Sequence, residues 1–385
     1  MTNKKKKIGT LTFSFSSNPG SVLQAYALQN VLEQLGYDAS IINYQKTSAD
    51  KPVWGQNVFY PPISKWTPSK LLDWINRIVA YPVRMRKYLA FFKKYYNDYT
   101  EKSCSKEELA VIEKTYDKFI VGSDQVWNLD SINVDYTYFL DFVSDNSKKV
   151  SYAASFGQKG VPDDKREEVI SLLKGFSAIS VREQDGVSTV HELIGKNAEW
   201  VVDPSLLIDE KVWHSMAEAP AEKDYVFLYL RESSKRLEAY ANDLAKKFNL
   251  KVIKVVVHWK YNEKGKKVGA VGPLEWLGYM KHARYIVTNS FHGICFSLAF
   301  EKEFVVDMLK AGRSSTNPRI VGLLEQFELH DRFIDSYISE TRVLDEPAVP
   351  KSIDYESVNK IKQSRRQQSL DYLKKSIEGE CTNDQ

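Results

Sequence analysis

Several short polar stretches, each following an apolar run, carry residue types that could do chemistry, and Thr288–Phe300 (TNSFHGICFSLAF) is the richest. An apolar strand, Tyr285–Thr288, runs into Asn289, Ser290, Phe291, His292 and Gly293, and a helix opens near His292 or Gly293. Free N–H groups and the dipole at such a helix start attract an anion. Gly293 lets a ligand approach the backbone, and His292 could donate to a phosphate or move a proton near neutral pH. The plain alternative is a capping turn around a core histidine.

Other segments add different groups. Ser180–Glu183 (SVRE) puts Arg182 at a strand end, where its planar fork suits a carboxylate or phosphate unless it only pairs with Glu183. Gly122–Asn128 (GSDQVWN) gathers Asp124, Gln125 and Trp127. An acid and an amide suit sugar hydroxyls, a Trp suits a sugar face, and Asp124 is a candidate base. The same stretch could be a polar loop around a buried Trp. Asn18, Pro19, Gly20 and Ser21 form a first strand-to-helix turn without the GxGxxG pattern, so no dinucleotide fingerprint is present. Its amides could still touch a phosphate or sugar, or simply cap the helix. Lys310–Arg319 is small and basic, and its Arg313 and Arg319 could close on an anion. Asp203-Pro204 reads as a structural strand exit.

These turns need strands and helices to hold them. Ile8–Phe13 is strand-like, a helix with apolar positions at Val22, Leu23, Tyr26, Leu28, Leu32 and Leu35 follows, and Gly36 stops it. Ala39–Tyr44 is the next strand, completing one doubly wound unit. Further strands are expected at Lys118–Val121, Lys149–Gly157, Ala178–Glu183 and Glu199–Val202, with helices near 163–176 and 185–194. A second wound unit follows the linker Ala217–Pro220: strands Tyr225–Tyr229 and Lys251–Val257 flank a helix from Ser234 to Phe248, and Phe304–Met308 is the last strand. Asp354–Ile377 reads as a polar amphipathic helix. The fold class is therefore α/β, with two Rossmann-like doubly wound domains facing a cleft. The expected bounds are 1–217, with a helical insertion at about 51–115, then 218–345, and a helical tail at 346–385.

Bulk properties narrow the function. The chain has 385 residues, 43% hydrophobic and 27% charged, which is globular composition and long enough for two cores. Fifty-four basic against fifty acidic residues gives +4, so general nucleic-acid binding is not implied. Cys104, Cys295 and Cys381 are odd in number and widely spaced, which suits a reducing cytoplasm, and no metal-ligand cluster is visible. No apolar run approaches the ~20 residues of a membrane span. One local imbalance stands out: Lys70, Arg77, Arg84, Arg86, Lys87, Lys93 and Lys94 face only Asp73 between residues 70 and 94. The plain reading is a helical hairpin packed on its domain; the sharper one is a surface for anionic substrate or lipid headgroups at the inner face of the membrane.

Taken together, NPGSVLQAYALQ, GSDQVWN, SYAASFG, SVREQDG, VDPSLL and NSFHGICFSLAF occur in the order found in the polysaccharide pyruvyl transferase family, and the resemblance covers about residues 8–330. It implies transfer of the pyruvyl group of phosphoenolpyruvate onto a sugar hydroxyl pair as a cyclic ketal. It also implies a GT-B-like fold whose C-terminal helix crosses back, and a role in exopolysaccharide or capsule synthesis. Phosphoenolpyruvate is then a co-substrate, with no resident cofactor or metal. The other partner is a sugar or lipid-linked oligosaccharide acceptor. By carry-over Arg182 holds the donor, while the Phe291 amide and the His292 ring bind its phosphate or carboxylate, with His292 a candidate acid. Asn289, Ser290 and Gly293 complete the donor turn; Asn18, Gly20, Gln125 and Trp127 face the acceptor. Ser290 stands where some members carry arginine, so Arg313 or Arg319 is expected to supply the missing phosphate contact. The competing readings are a sugar-nucleotide glycosyltransferase on the same architecture and a non-catalytic carbohydrate-binding relative.

Overall fold

The computed structural model describes residues 4–44, 68–100, 103–130, 133–255, 266–309, 317–337 and 349–380. The first half contains β1 (Lys7–Leu11), α1 (Pro19–Gln34), β2 (Asp38–Ile41), α2 (Pro68–Tyr95), α3 (Lys106–Ile112), β3 (Lys118–Val121), β4 (Lys149–Ser151) and α4 (Arg166–Lys174). It continues through β5 (Ser180–Val181), α5 (Gln184–Ile194), β6 (Glu199–Trp200), α6 (Pro204–Leu207) and α7 (Glu210–Met216). The second half contains β7 (Tyr225–Tyr229), α8 (Lys235–Lys247), β8 (Lys251–Val255), β9 (Lys266–Val268), α9 (Pro273–His282), β10 (Tyr285–Thr288), α10 (Phe291–Ala299), β11 (Glu303–Val306) and α11 (Asn317–Gln326). The last helix is α12 (Tyr355–Glu378).

Both sheets are parallel throughout. The first has the order β2-β1-β3-β4, and single bridges at Val150–Ala178 and Ala154–Val181 extend it to β5, which pairs with β6. The second has the order β11-β10-β7-β8-β9. Strand order reverses between β1 and β3 in one sheet and between β7 and β10 in the other. Ligands of doubly wound sheets bind beyond the carboxyl ends of strands at such reversals. The Asn18–Ser21 and Gly122–Asn128 turns leave one reversal, and Tyr229–Glu232 and Thr288–Gly293 leave the other.

Local sequence sets where each helix begins. The Asn18 side chain caps α1 and Pro19 takes its first position, where a missing N–H costs nothing. Gly36 just beyond it adopts φ 95°, a left-handed conformation that favours glycine. Ser290 caps α10, and every residue of α10 is buried. Asp354 caps α12, which ends at Gly379 with φ 79°.

One of three core clusters runs through both halves, with a second in the first half and a third in the second. Tyr26 of α1 meets Trp213 of α7 at 6.0 Å, and Trp213 and Trp276 each meet Phe296 of α10 edge-on, at 5.2 and 5.1 Å. The polar α12 lies across both halves, as expected. Its Tyr355 hydroxyl donates to the Lys302 carbonyl at 2.6 Å, whereas Tyr372 donates to the Ser151 carbonyl at 2.8 Å and Ser369 accepts from the Val202 N–H at 3.0 Å.

The expected strand at 178–183 shortens to Ser180–Val181: Ala178 makes only a single bridge to Val150, and Glu183 already stands at the N-cap of α5. β9 was not anticipated, since its three residues carry little periodic signal. Of the expected helical insertion, α2 is one continuous helix with Pro82 inside it and α3 is short, while residues 45–67 lie outside those described.

Two glycines should answer oppositely to alanine. A Cβ on Gly278 of α9 would sit 1.6 Å from the Glu218 carbonyl oxygen, whereas one on Gly322 of α11 meets nothing within 4 Å. Gly278→Ala is expected to cost about 2 kcal/mol or more, and Gly322→Ala to add about 0.5–1 kcal/mol, both read by chemical denaturation.

Candidate active site

The residues singled out at the two reversals meet at one buried spot. Gly20, in the first turn of α1, lies against the His292 ring so closely that a Cβ there would be 2.5 Å from Cγ. Gly293 is equally constrained, with Thr288 Oγ1 2.5 Å from the place of its Cβ. The N-termini of α1 and α10 therefore converge, which concentrates two positive helix ends near one point.

Arg182 supplies the next layer. Its guanidinium is fully buried, with Nη1 donating to Asp203 Oδ2 at 2.9 Å and to Ser123 Oγ at 3.1 Å, and Nη2 donating to Asp124 Oδ1 at 3.4 Å. Its Cζ stacks 4.2 Å from the Phe291 ring centre, and Arg319 Cζ lies 5.8 Å from the same ring. The ring between two guanidiniums eases their mutual repulsion through its negative face.

The carboxylates have different fates. Asp203 accepts from Ser123, Arg182, the Ser205 N–H and the Ser205 hydroxyl, and also lies 3.8 Å from His292 Nε2. Burial opposes its charge, but His292, Arg182 and the Ser205 and Ser123 hydroxyls keep its pKa below the usual range. Asp124, held at φ 78°, accepts from Ser21 Oγ at 2.5 Å. Burial opposes its charge too, yet Arg182, His292, Ser21 and Arg319 hold its carboxyl well below the usual carboxylate range. In Glu183 burial prevails over Arg182, Ser155, Arg319 and the Gly157 amide, and the carboxyl is pushed up. Its Oε1 accepts from Ser155 and Gly157, while Oε2 has no hydrogen-bond partner.

The bases are arranged to match. Burial pushes the His292 imidazole below its ordinary 6.5; Asp203 and Asp124 pull it up, while Arg182 and Arg319 push it further down. The ring is neutral at pH 7, and its Nε2 lacks a hydrogen-bond partner. Arg319 is pushed down to about 9 by burial and by the charge of Arg182, so it stays protonated, and its buried Nε is also unpartnered. The arrangement thus offers a neutral imidazole, a carboxyl whose pKa burial raises, and cations whose charge a further anion would relieve.

Several sequence expectations change here. Trp127 does not face a sugar: it is 1% exposed, stacks on Phe139 at 5.4 Å and donates to the Tyr138 carbonyl. Asn289 turns its amide to the protein backbone: it accepts from the Arg231 N–H at 2.7 Å and donates to the Glu232 carbonyl at 2.8 Å, tying the β7–α8 loop to the α10 turn. Asp124 is a weak base, being ionised and already paired. The Arg182 fork is already taken by two carboxylates. Gly20 serves close packing, and Ser290 caps α10 through the Gly293 N–H. The Asn18 amide oxygen accepts from the Gly20 N–H and the Tyr229 hydroxyl, joining the two reversals. The Gln125 amide lies between Asn128 and Arg319; with its oxygen turned to Arg319 it accepts from Nη2 at 2.6 Å. Arg319, His292 and Phe291 lie together in this cluster, while Arg313 lies outside the described residues.

Asp203, Glu183 and Ser21 belong to this cluster although the sequence reading assigned them no role in the site. The position of Asp203 at a strand end was the available signal. Among the described residues, no three His, Cys, Asp or Glu side chains gather as a metal ion would require.

Two doubly wound parallel sheets with apposed reversals and a crossing C-terminal helix define a GT-B-like α/β architecture. The chain belongs to the polysaccharide pyruvyl transferase family, whose model matches residues 18–306. No curated protein matches the chain. Among solved structures it is similar to the Rickettsia bellii UDP-N-acetylglucosamine 2-epimerase, at 10% identity and TM-score 0.46, covering 97% of this chain and 99% of that one. It is also similar to the S. aureus MnaA–UDP structure, at 12% identity and TM-score 0.47, covering 95% and 90%. A third is the UDP-GlcNAc 2-epimerase of Methanocaldococcus jannaschii, at 13% and 0.43, covering 94% and 99%.

Two outcomes follow from this geometry. Asp203→Asn leaves a buried guanidinium short of a charge partner and should cost about 3–5 kcal/mol in denaturant unfolding. The folded pKa of His292 lies below its unfolded value, so the unfolded chain binds more protons as pH falls past about 6.5, and stability drops. Asp124 and Asp203, also depressed, hold their contribution above the ordinary 3.8 and lose it only in stronger acid. Unfolding from about pH 7.5 to about pH 6 should therefore show a loss that shrinks in His292→Asn.

Proposed function

We propose that this protein transfers the pyruvyl group of phosphoenolpyruvate onto two hydroxyls of one sugar in the synthesis of a polysaccharide or cell-surface glycan, acting at the cytoplasmic side. Family membership supports the reaction class. The observation that carries the reading is the meeting of two helix N-termini with Arg319, Arg182 and a neutral His292. Phosphoenolpyruvate carries a carboxylate and a phosphate, the two anions such a place attracts.

In this reading Arg319 and the α10 turn bind the donor, with Arg182 as the buried charge that orders Asp124, Asp203 and Phe291. Glu183, the carboxyl whose pKa burial raises, gives its proton to the methylene carbon of the enol, and C2 gains positive character. A sugar hydroxyl attacks C2 as neutral His292 takes its proton. The C2–O bond to phosphate then breaks, phosphate leaves toward the α10 N-terminus carrying the proton from His292, and the second hydroxyl closes the ketal as its proton returns to the Glu183 carboxylate. Donors fixed where the leaving phosphate gathers charge supply a large share of the acceleration. The acceptor is a sugar, free or carried on a lipid, and phosphoenolpyruvate is a co-substrate.

Incubation with phosphoenolpyruvate and candidate galactosides, followed by phosphate release and NMR of the ketal, tests this. His292→Ala is expected to lower kcat by about 100-fold or more, Glu183→Gln to do likewise, and Arg319→Gln to raise KM for phosphoenolpyruvate. Absence of phosphoenolpyruvate binding in calorimetry, or phosphate release from UDP-sugars alone, would refute the reading.

A further inference from the structure

The helix α2 has two unlike sides. Met85, Tyr88, Phe91 and Phe92 are buried toward α1, while Val79, Pro82, Val83, Arg86, Lys93 and Lys94 are exposed. At the helical repeat those exposed positions fall within about 120° of arc, so they form one outward stripe. Val79 and Val83, one turn apart on that side, are 63% and 39% exposed. The charge is one-sided as well. From Trp74 to Asn97 the sequence holds six Lys or Arg and no Asp or Glu, in a chain whose basic and acidic residues otherwise nearly balance, 54 against 50.

The inner side of α2 connects this stripe to the active site. Tyr96, just past its end, donates to the Val22 carbonyl at 2.9 Å and contacts the Ser14 carbonyl at 3.2 Å. Phe92 packs against Phe15 at 5.2 Å, and Lys87 donates to the Ala270 carbonyl and pairs with Glu275 of α9. The helix therefore roofs the loop from Thr12 to Asn18, which runs directly into the α1 N-terminus and His292.

We propose that the outer stripe of α2 docks on an anionic bilayer, so that the site's entrance faces lipid headgroups and the acceptor is a lipid-borne sugar. The part concerning the acceptor rests on the pyruvyl-transfer reading; the docking itself does not. Valines enter the headgroup boundary while Arg86 and Lys94 meet lipid phosphates, the division of labour of an interfacial helix. A second copy of the chain is the other conceivable occupant. A twofold contact through this stripe would set its cations against their own counterparts, and among the described residues of the stripe no Asp or Glu offsets that repulsion.

Sedimentation of the full chain with vesicles tests the proposal, comparing phosphatidylcholine alone with an equal mixture of phosphatidylcholine and phosphatidylglycerol. Binding to the mixed vesicles alone is expected, weakening as salt rises. Two variant sets, Val79→Asp with Val83→Asp, and Arg86→Glu with Lys94→Glu, should each bind roughly tenfold or more weakly. Their melting temperature and phosphate release with a soluble acceptor should stay unchanged. Equal binding to both vesicle types, wild-type binding by both sets, or loss of a dimer in their gel filtration would overturn the docking. Vesicle binding by a protein with no turnover of phosphoenolpyruvate would retain the surface and remove only the acceptor's identity.

Discussion

A guanidinium with no exposed surface governs this molecule: Arg182 lies between Asp203 and Asp124, and each partner answers to a different element. Asp203 also caps α6 through Ser205, while Asp124 fixes Ser21 in the first turn of α1. A buried arginine without such partners would be untenable, so the ends of β3, β5 and β6 must arrive together for any of them to be stable. The interaction adds little net stability over an apolar core of the same shape. What it contributes is placement: one cation ties three strand ends and the start of a helix.

That placement lets two helices approach end to end. The α1 backbone at Gly20 lies flat on the His292 ring, and the α10 backbone at Gly293 lies flat on Thr288. Each glycine is required by a close approach rather than by an unusual φ. The result is an imidazole kept dry from one side by backbone and held near Asp203 from the other. Low exposure and nearby guanidiniums keep it neutral, while the same burial keeps Glu183 protonated more readily than Asp124. Three titratable groups within one cluster are thus driven apart by their surroundings alone.

Much of this was legible in the sequence, and the reason is local. Apolar runs ending in polar turns mark strand ends, so the alternation of the two halves and the candidate positions His292 and Arg182 could be read directly. Tertiary facts were not legible. Trp127 carries the residue type of a sugar platform, but whether its face is open depends on Phe139 and Phe156, which come from other loops. Asn289 looked like a ligand group until its two partners proved to be backbone of the β7–α8 loop, some 57 residues away in the chain. Asp203 was passed over as a strand exit because its second role needs Arg182 beside it. Ionisation states belong to the same category, since they follow from burial and not from spacing.

The crossing helix α12 has a consequence for synthesis. Its Tyr372 and Ser369 satisfy backbone groups at Ser151 and Val202 in the first half, and its Leu373 and Ile377 are fully enclosed. Until that helix emerges from the ribosome, a carbonyl and an amide of the nascent first half lack their partners, and part of its apolar surface stays wet. The first half can form early but finishes only when the last helix closes over it, so the emerging chain is most open to chaperones and proteases along that seam.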